Sequence, residues 1–363
     1  MRVLHVAAGN LYGGVERILE EIARHVPPGS RHEFALSFDG RLSRELDAAG
    51  ARRHAIGEVR FRRPLSVWLA RRRLSALLRS GAFDVVVCHS PWPYAIAAPV
   101  LDTAPVLWAH DAQRGDHWTE RRVATRPPSL VICNSRYTAA SLVTWLPDSS
   151  KEVVYAPVAP PVRSFPRWEM RARLGASDDT VVIVIACRME EWKGHVTLLQ
   201  ALAALEGNWM LWIAGGPQRP HEQEYEAKLR EMSAAPGLGD RVRFLGERTD
   251  VANLFAAADI HCQPNSAPEP FGLAFVEALH AGLPVVTSDA GGAREIVTPD
   301  CGVLVPAGDV AALRAALAEL LSSRERRAQL GTAGPERARA LCEPERQVAA
   351  LECALAAVQR TAA

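Results

Sequence analysis

Residues 269–277 read Glu-Pro-Phe-Gly-Leu-Ala-Phe-Val-Glu, two carboxylates with seven residues between them. Pro268 and Pro270 disfavour helix, whereas Gly272 to Ala281 carries apolar residues at helical spacing and stops at Gly282-Leu283-Pro284. A helix is therefore expected to begin near Phe271 or Gly272. Its first amides have no partner within the helix and its dipole is positive there, so a diphosphate fits against Phe271, Gly272 and Leu273. Glu269 precedes that anion site and Glu277 lies one to two turns inside. A carboxylate in the helix can accept two hydrogen bonds from a ribose diol, and one on the preceding loop can hold hydroxyls of a sugar beyond the diphosphate. Two solvated glutamates are the plain alternative, but the apolar neighbours of this pair argue for burial.

Other candidates stand where short apolar runs end. After Val181–Ala186 comes Cys187-Arg188-Met-Glu-Glu-Trp-Lys193-Gly194. Arg188 offers a planar fork and Lys193 a point charge, a pairing that suits a diphosphate, although solvated cations would read the same way. Gly215-Gly216 follows a second run, and Gly291-Gly292 follows a third. Both permit close backbone approach, and both are compatible with ordinary tight turns. Near the start, Gly13-Gly14 opens a helical pattern, but with Gly9 it does not make a dinucleotide fingerprint. It is read as a loop that admits a donor phosphate or an acceptor. His110 ends Val106–Trp108, where it is expected to reach a ligand, although a lone histidine is more often structural. Asn134-Ser135 reads as a cap for a helix from Arg136 toward Trp145.

The elements that would carry these residues form two series. Expected strands are Val3–Val6, Phe34–Ser37, Val85–His89, Val106–Trp108, Leu130–Cys133 and Val153–Ala156, then Val181–Ala186, Met210–Ala214, Val242–Leu245, Ile260–Gln263, Val285–Ser288 and Gly302–Val305. Helical patterns between them, including Val196–Leu205, Glu222–Ser233 and Val310–Leu321, argue for parallel α/β sheets. Pro157 to Pro166 holds four prolines in ten residues and belongs to no central element, so it is the expected linker. The chain then reads as two doubly wound domains, 1–160 and 161–344, facing across a cleft. Open α/β sheets bind ligands at the carboxyl ends of their strands, which is where these candidates fall.

Composition sets outer bounds. The 363 residues are 48% hydrophobic and 23% charged, which is a folded globular balance. Met1-Arg-Val-Leu-His-Val reads as an opening strand rather than a leader, and no apolar run reaches membrane-spanning length. The seven cysteines form no CxxC pair and read as small buried hydrophobes, so a cytoplasmic location is expected. Net charge is +1, but residues 1–165 hold 22 basic against 15 acidic side chains and the remainder 20 against 26. No nucleic-acid partner is expected. The stretch Arg60 to Arg73 mixes arginines with Trp68 and Leu69, either as an interfacial helix touching the inner face of an anionic membrane or as a packed helix with a solvated arginine face.

Taken in order, Gly13-Gly14, Arg188 with Lys193-Gly194, the Glu269/Glu277 pair, Ala281-Gly-Leu-Pro-Val-Val286 and Gly291-Gly-Ala-Arg-Glu295 resemble the retaining glycosyltransferases of family 4 over nearly the whole chain. That resemblance implies the GT-B fold, two Rossmann-like domains with an acceptor-binding first domain and a nucleotide-sugar-binding second one. It implies that the last helix, about 345–361, packs back on the first domain. It further implies that Arg188 and Lys193 neutralise the diphosphate, Glu277 holds the ribose, Glu269 contacts the donor sugar, and His110 lies near that sugar. Gly215, Gly216, Gly291 and Gly292 would line the nucleotide-sugar site. Transfer of a hexose to a glycan, lipid-linked or small-molecule hydroxyl with retention is then expected, a UDP-sugar being preferred over GDP-mannose. No Asp-x-Asp occurs, so turnover without metal or cofactor is expected. A UDP-sugar 2-epimerase of the same architecture, or a catalytically silent nucleotide-sugar-binding protein, is the alternative. The sequence does not fix the oligomeric state.

Overall fold

The structure is a computed structural model that describes residues 1–102 and 105–362. It divides into two compact units, Met1–Ala159 with Cys342–Ala363, and Pro160–Leu341. The change of unit falls inside the proline-rich stretch, and the chain returns to the first unit with its last helix.

The first unit holds seven strands: β1 (Arg2–Ala7), β2 (Arg31–Leu36), β3 (Arg52–Ala55), β4 (Val85–His89), β5 (Val106–Ala109), β6 (Leu130–Cys133) and β7 (Ser150–Val153). Their order is β3-β2-β1-β4-β5-β6-β7, all parallel. The second unit holds β8 (Val181–Ala186), β9 (Trp209–Ala214), β10 (Val242–Gly246), β11 (Ile260–Gln263), β12 (Val285–Ser288) and β13 (Gly302–Val305). Their order is β10-β9-β8-β11-β12-β13, again parallel. Central strands such as Val-Val-Val-Cys-His (β4) and Val-Val-Ile-Val-Ile-Ala (β8) are apolar almost throughout because helices cover both faces of a parallel sheet. In each sheet the strand order reverses once, between β1 and β4 and between β8 and β11. The loops after those neighbours leave in opposite directions and open a crevice at the carboxyl edge. Two Rossmann-like domains result, as the motif order implied.

Two strands differ from the sequence expectation. β3, Arg-Arg-His-Ala, was not anticipated, since it is a sheet edge with no apolar alternation to reveal it. β7 is Ser150–Val153 rather than Val153–Ala156; the polar residues form the edge ladder and the apolar Val154 and Ala156 are buried just after it. The helix from Arg136 ends at Ser141, short of Trp145, and the one read at Val196–Leu205 spans His195–Leu202.

After the linker, the helix Arg167–Leu174 is clamped by Asp259 at the head of β11. One carboxylate oxygen accepts from Arg167 at 2.6 Å, and the other from Arg171 at 3.2 Å and from the Val182 amide at 2.8 Å. Arg171 is 1% exposed and also donates to the carbonyls of Ala257, Ser177 and Thr180. A buried guanidinium is tolerable only when well paired, and here both terminal nitrogens are, while Nε has no partner among the described residues.

The arginine-rich stretch forms the helix Pro64–Ser80, which turns Val67, Ala70 and Leu74 inward. Leu65, Trp68 and Leu69 face outward, at 76, 55 and 44% exposure. Among the described residues no helix is long and apolar enough to cross a membrane. Five cysteines are buried, Cys187 is half-buried and Cys353 is exposed.

Candidate active site

The second unit gathers its candidates at the β8/β11 crevice. Arg188 and Lys193 lie on the loop after β8, and Glu269 lies on the loop after β11. Lys193 Nζ donates to Glu269 Oε2 at 2.8 Å. The same oxygen accepts from Asn265 Nδ2 at 2.7 Å and Gln263 Nε2 at 3.2 Å. Glu269 is therefore a buried carboxylate with three donors converging on Oε2, which fixes its orientation. Lys193 packs its ammonium 3.7 Å from the centroid of the Trp192 ring, held further by cation–π attraction. An ammonium carries three donors, and Glu269 takes one. On the same loop Arg188 pairs with Glu190 at 2.9 Å and keeps a third of its side chain exposed, at 33%.

Glycines make these loops fit. A Cβ on Gly194 would lie 1.8 Å from the Pro264 carbonyl oxygen, so the Lys193 loop can rest on the Asn265 loop only with glycine there, and its φ of +82° demands the same. Gly291 and Gly292 approach Glu269 and Pro270 as closely: a Cβ would meet backbone oxygen at 2.3 and 2.6 Å. The Gly292 amide donates to the Glu269 carbonyl at 2.7 Å, and Glu269 pairs with Gly291 in an isolated parallel bridge. These glycines thus brace the backbone of Glu269. Gly215, with φ +136°, would place a Cβ 1.8 Å from the Cys187 carbonyl oxygen, so it supports the start of the Arg188 loop, and Gly216 packs on Glu247.

The helix is Leu273–His280, capped by Gly272 in the left-handed region at φ +112°, close to the start read from the sequence. Phe271, 3% exposed, fixes the turn, while Phe275, Val276, Ala278 and Leu279 are buried. Leu273, Ala274, Glu277 and His280 lie on the half-exposed stripe of the helix, so Glu277 shares the face of the first turn. Arg188, Lys193, Glu269, Phe271–Leu273, Glu277 and both Gly-Gly turns are thus brought together by contacts within one unit. Gln263 and Asn265 were not singled out from sequence; the signal available was the polar Gln263 at the end of a buried strand, with Asn265 two residues on.

Gly13, Gly14 and His110 belong to the first unit. Gly13 caps the helix Gly14–Arg24 with its amide donating to the Glu16 carboxylate at 2.9 Å. Its φ of −160° is ordinary extended backbone, so conformation does not require glycine there; Gly9, at φ +83°, is the turn residue that does. His110 is 6% exposed, and its Nε2 lies 3.0 Å from Nδ1 of His89, itself a partner of His5. Burial depresses the His110 pKa to about 3, so the ring is neutral.

Two family models match the chain, Glycosyltransferase Family 4 over residues 12–160 and Glycosyl transferases group 1 over residues 166–337. The lipopolysaccharide core biosynthesis glycosyltransferase LpsD of Rhizobium meliloti is 30% identical over 343 residues, covering 93% of this chain and 92% of that one. A GDP-mannose-dependent monoacylated phosphatidylinositol monomannoside mannosyltransferase of Corynebacterium glutamicum is 36% identical over 176 residues, which is 45% of this chain and 44% of its own length. Among solved structures, Anabaena HepE in complex with UDP and glucose superposes with a TM-score of 0.84 at 25% identity, covering 98% of this chain and all of that one.

Proposed function

The chain belongs to the family 4 glycosyltransferases, and from that membership we propose that it is a retaining hexosyltransferase using a UDP-sugar in preference to GDP-mannose. The observation that carries this reading is the convergence of Lys193, Asn265 and Gln263 on one oxygen of Glu269, beside a helix N-terminus and the Arg188 loop. In this account the diphosphate lies against the amides of Phe271–Leu273 and takes donors from Arg188 and Lys193. Glu277 accepts from the ribose hydroxyls, and Glu269 accepts from hydroxyls of the hexose through the oxygen its three partners leave available.

Transfer then proceeds on one face of the sugar. The acceptor hydroxyl attacks the anomeric carbon as its bond to the diphosphate oxygen breaks, and the departing phosphate takes the hydroxyl proton. Negative charge grows on the leaving diphosphate, so fixed cations and a helix N-terminus act where the transition state needs them. Those groups supply the electrophilic role, and turnover is proposed to be independent of metal ions. The UDP preference is supported by the HepE complex, which matches over the full chain, whereas the GDP-mannose-dependent relative matches under half of it. The acceptor is proposed to be a glycan or lipid-linked hydroxyl, with the arginine-rich helix Pro64–Ser80 and its outward Leu65, Trp68 and Leu69 in peripheral contact with an anionic membrane.

The test is to offer UDP-glucose, UDP-N-acetylglucosamine and GDP-mannose with chelator present and follow nucleotide release and the anomeric configuration of the product. UDP release with a retained α-linkage is expected. An inverted linkage, loss of turnover on chelation with recovery on adding a divalent cation, or a new nucleotide sugar formed without acceptor would overturn the corresponding part.

A further inference from the structure

Four buried histidines form one hydrogen-bonded row across the sheet of the first unit. Glu352 Oε1 lies 3.0 Å from His32 Nε2, His32 Nδ1 lies 2.9 Å from His5 Nε2, His5 Nδ1 lies 2.9 Å from His89 Nε2, and His89 Nδ1 lies 3.0 Å from His110 Nε2. The register explains why they meet. His32 on β2 stands opposite Val3, two residues before His5; His5 on β1 stands opposite Val87, two before His89; His89 on β4 stands opposite Trp108, two before His110. Each step of two keeps the side chain on the same face and advances it toward the carboxyl edge of the sheet. Neighbouring rings lie 5.1 or 5.2 Å apart, with Phe34 and Trp108 stacked against them.

Such a row has only two polarities, because a neutral imidazole donates from one nitrogen and accepts at the other. A carboxylate only accepts. With Glu352 at one end, His32 must donate from Nε2, which leaves its Nδ1 to accept from His5 Nε2, and the same assignment passes to His89 and His110. The opposite polarity requires a proton on the Glu352 carboxyl or a second proton on His32, and burial lowers the His32 pKa against the latter. The last atom of the row is Nδ1 of His110, which is buried and has no hydrogen-bond partner among the described residues.

We infer that Glu352, through His32, His5 and His89, is a positioning residue that locks His110 in the Nε2–H tautomer, so that its Nδ1 is a fixed acceptor at the carboxyl edge of the sheet. A fixed acceptor selects a hydrogen-bond donor; on the hexosyltransferase reading, that donor is a sugar hydroxyl. Burial holds His5, His89 and His110 neutral, consistent with one proton per ring.

The experiment is nitrogen NMR of the full-length protein labelled with 15N in its histidine rings at neutral pH, with the four rings assigned by single substitutions. All four are expected as the Nε2–H tautomer. Any of them found as Nδ1–H, or as a mixture, overturns the inference. In Glu352→Leu, and in Glu352→Met should the first not fold, His110 is expected to lose its single tautomer although it sits four hydrogen bonds away. A His110 ring that stays wholly Nε2–H in the folded variant removes Glu352 from the role. The readout uses no substrate, so its failure leaves the donor and reaction reading standing.

Discussion

Lys193 Nζ and Glu269 Oε2 lie 2.8 Å apart although 76 residues separate them in the chain. Strands β8 and β11 are neighbours across the point where the strand order reverses, and so the loops that follow them meet. Glu269→Gln keeps the shape but removes the charge that gathers Lys193, Asn265 and Gln263. Because its proposed partner is the hexose, the substitution is expected to lower kcat about 100-fold or more, the scale of one preorganised electrostatic contact. Affinity for the free nucleotide diphosphate should change little. Steady-state kinetics beside UDP titration separates the two, and full activity in Glu269→Gln contradicts the assignment.

Glu277 occupies the half-exposed face of the helix Leu273–His280 and is assigned to the nucleoside rather than the sugar. Removing hydrogen bonds to a charged group costs about 1.5–3 kcal/mol, so Glu277→Ala should weaken UDP roughly 10- to 100-fold. A raised KM with a smaller effect on kcat is the expected kinetic form. If kcat collapses while nucleotide affinity holds, the two glutamates have been assigned the wrong way round.

Acid should destabilise the fold earlier than carboxylate titration would. Burial lowers the pKa of His110 and His261 to about 3 and of His195 to about 4, and places His5 and His89 well below 6.5. The folded state then binds fewer protons than the unfolded one once pH drops below about 6.5, the free histidine value. Stability from these rings is complete above that pH and is lost as pH falls from about 6.5 toward 4, at roughly 1.4 kcal/mol per unit for each ring. Melting temperature followed from pH 7.5 to 5 should begin to fall near 6.5. A flat profile down to 5 would show that the rings are already charged in the fold.

Asp259 is the sole carboxylate partner of the buried Arg171 among the described residues. Asp259→Ala strands that guanidinium and frees the Val182 amide, with an expected loss of about 3–5 kcal/mol. Denaturant unfolding measures it. A change under about 1 kcal/mol would mean the carbonyls of Ala257, Ser177 and Thr180 suffice to hold the charge.

The helix Pro64–Ser80 supplies the membrane test. Flotation with anionic liposomes at low salt should carry the protein, and Trp68→Glu with Leu65→Glu should leave it at the bottom of the gradient, since both side chains are exposed and contribute nothing to the core. Absence of flotation by the unmodified protein would remove membrane contact from the account.

Local patterning in the sequence revealed most of the fold and the second-unit site. β8 is an uninterrupted apolar run, β11 and β12 open on apolar residues and end in polar ones, and the start of the helix Leu273–His280 is marked by Pro270 and Gly272. The two edge strands of the first sheet escaped for the opposite reason, as Arg52–Ala55 and Ser150–Val153 carry too few apolar residues to show a period. The support of Glu269 by Gln263 and Asn265 needed the course of one loop, and the histidine row needed the register of four strands. His5 and His32 stand inside otherwise ordinary buried strands, and nothing local distinguishes them from packed core residues. His89 and His110, at strand ends, carry a positional hint, and of the two only His110 is a candidate from sequence.

Calorimetric titration of the unmodified protein and of Lys193→Ala with UDP, GDP and ADP tests the central claim most directly. The account predicts that UDP binds more tightly than GDP or ADP, and that Lys193→Ala weakens it at least about tenfold through the lost contact to phosphate. Binding of none of the three nucleotides, or UDP binding that Lys193→Ala leaves unchanged, would contradict it.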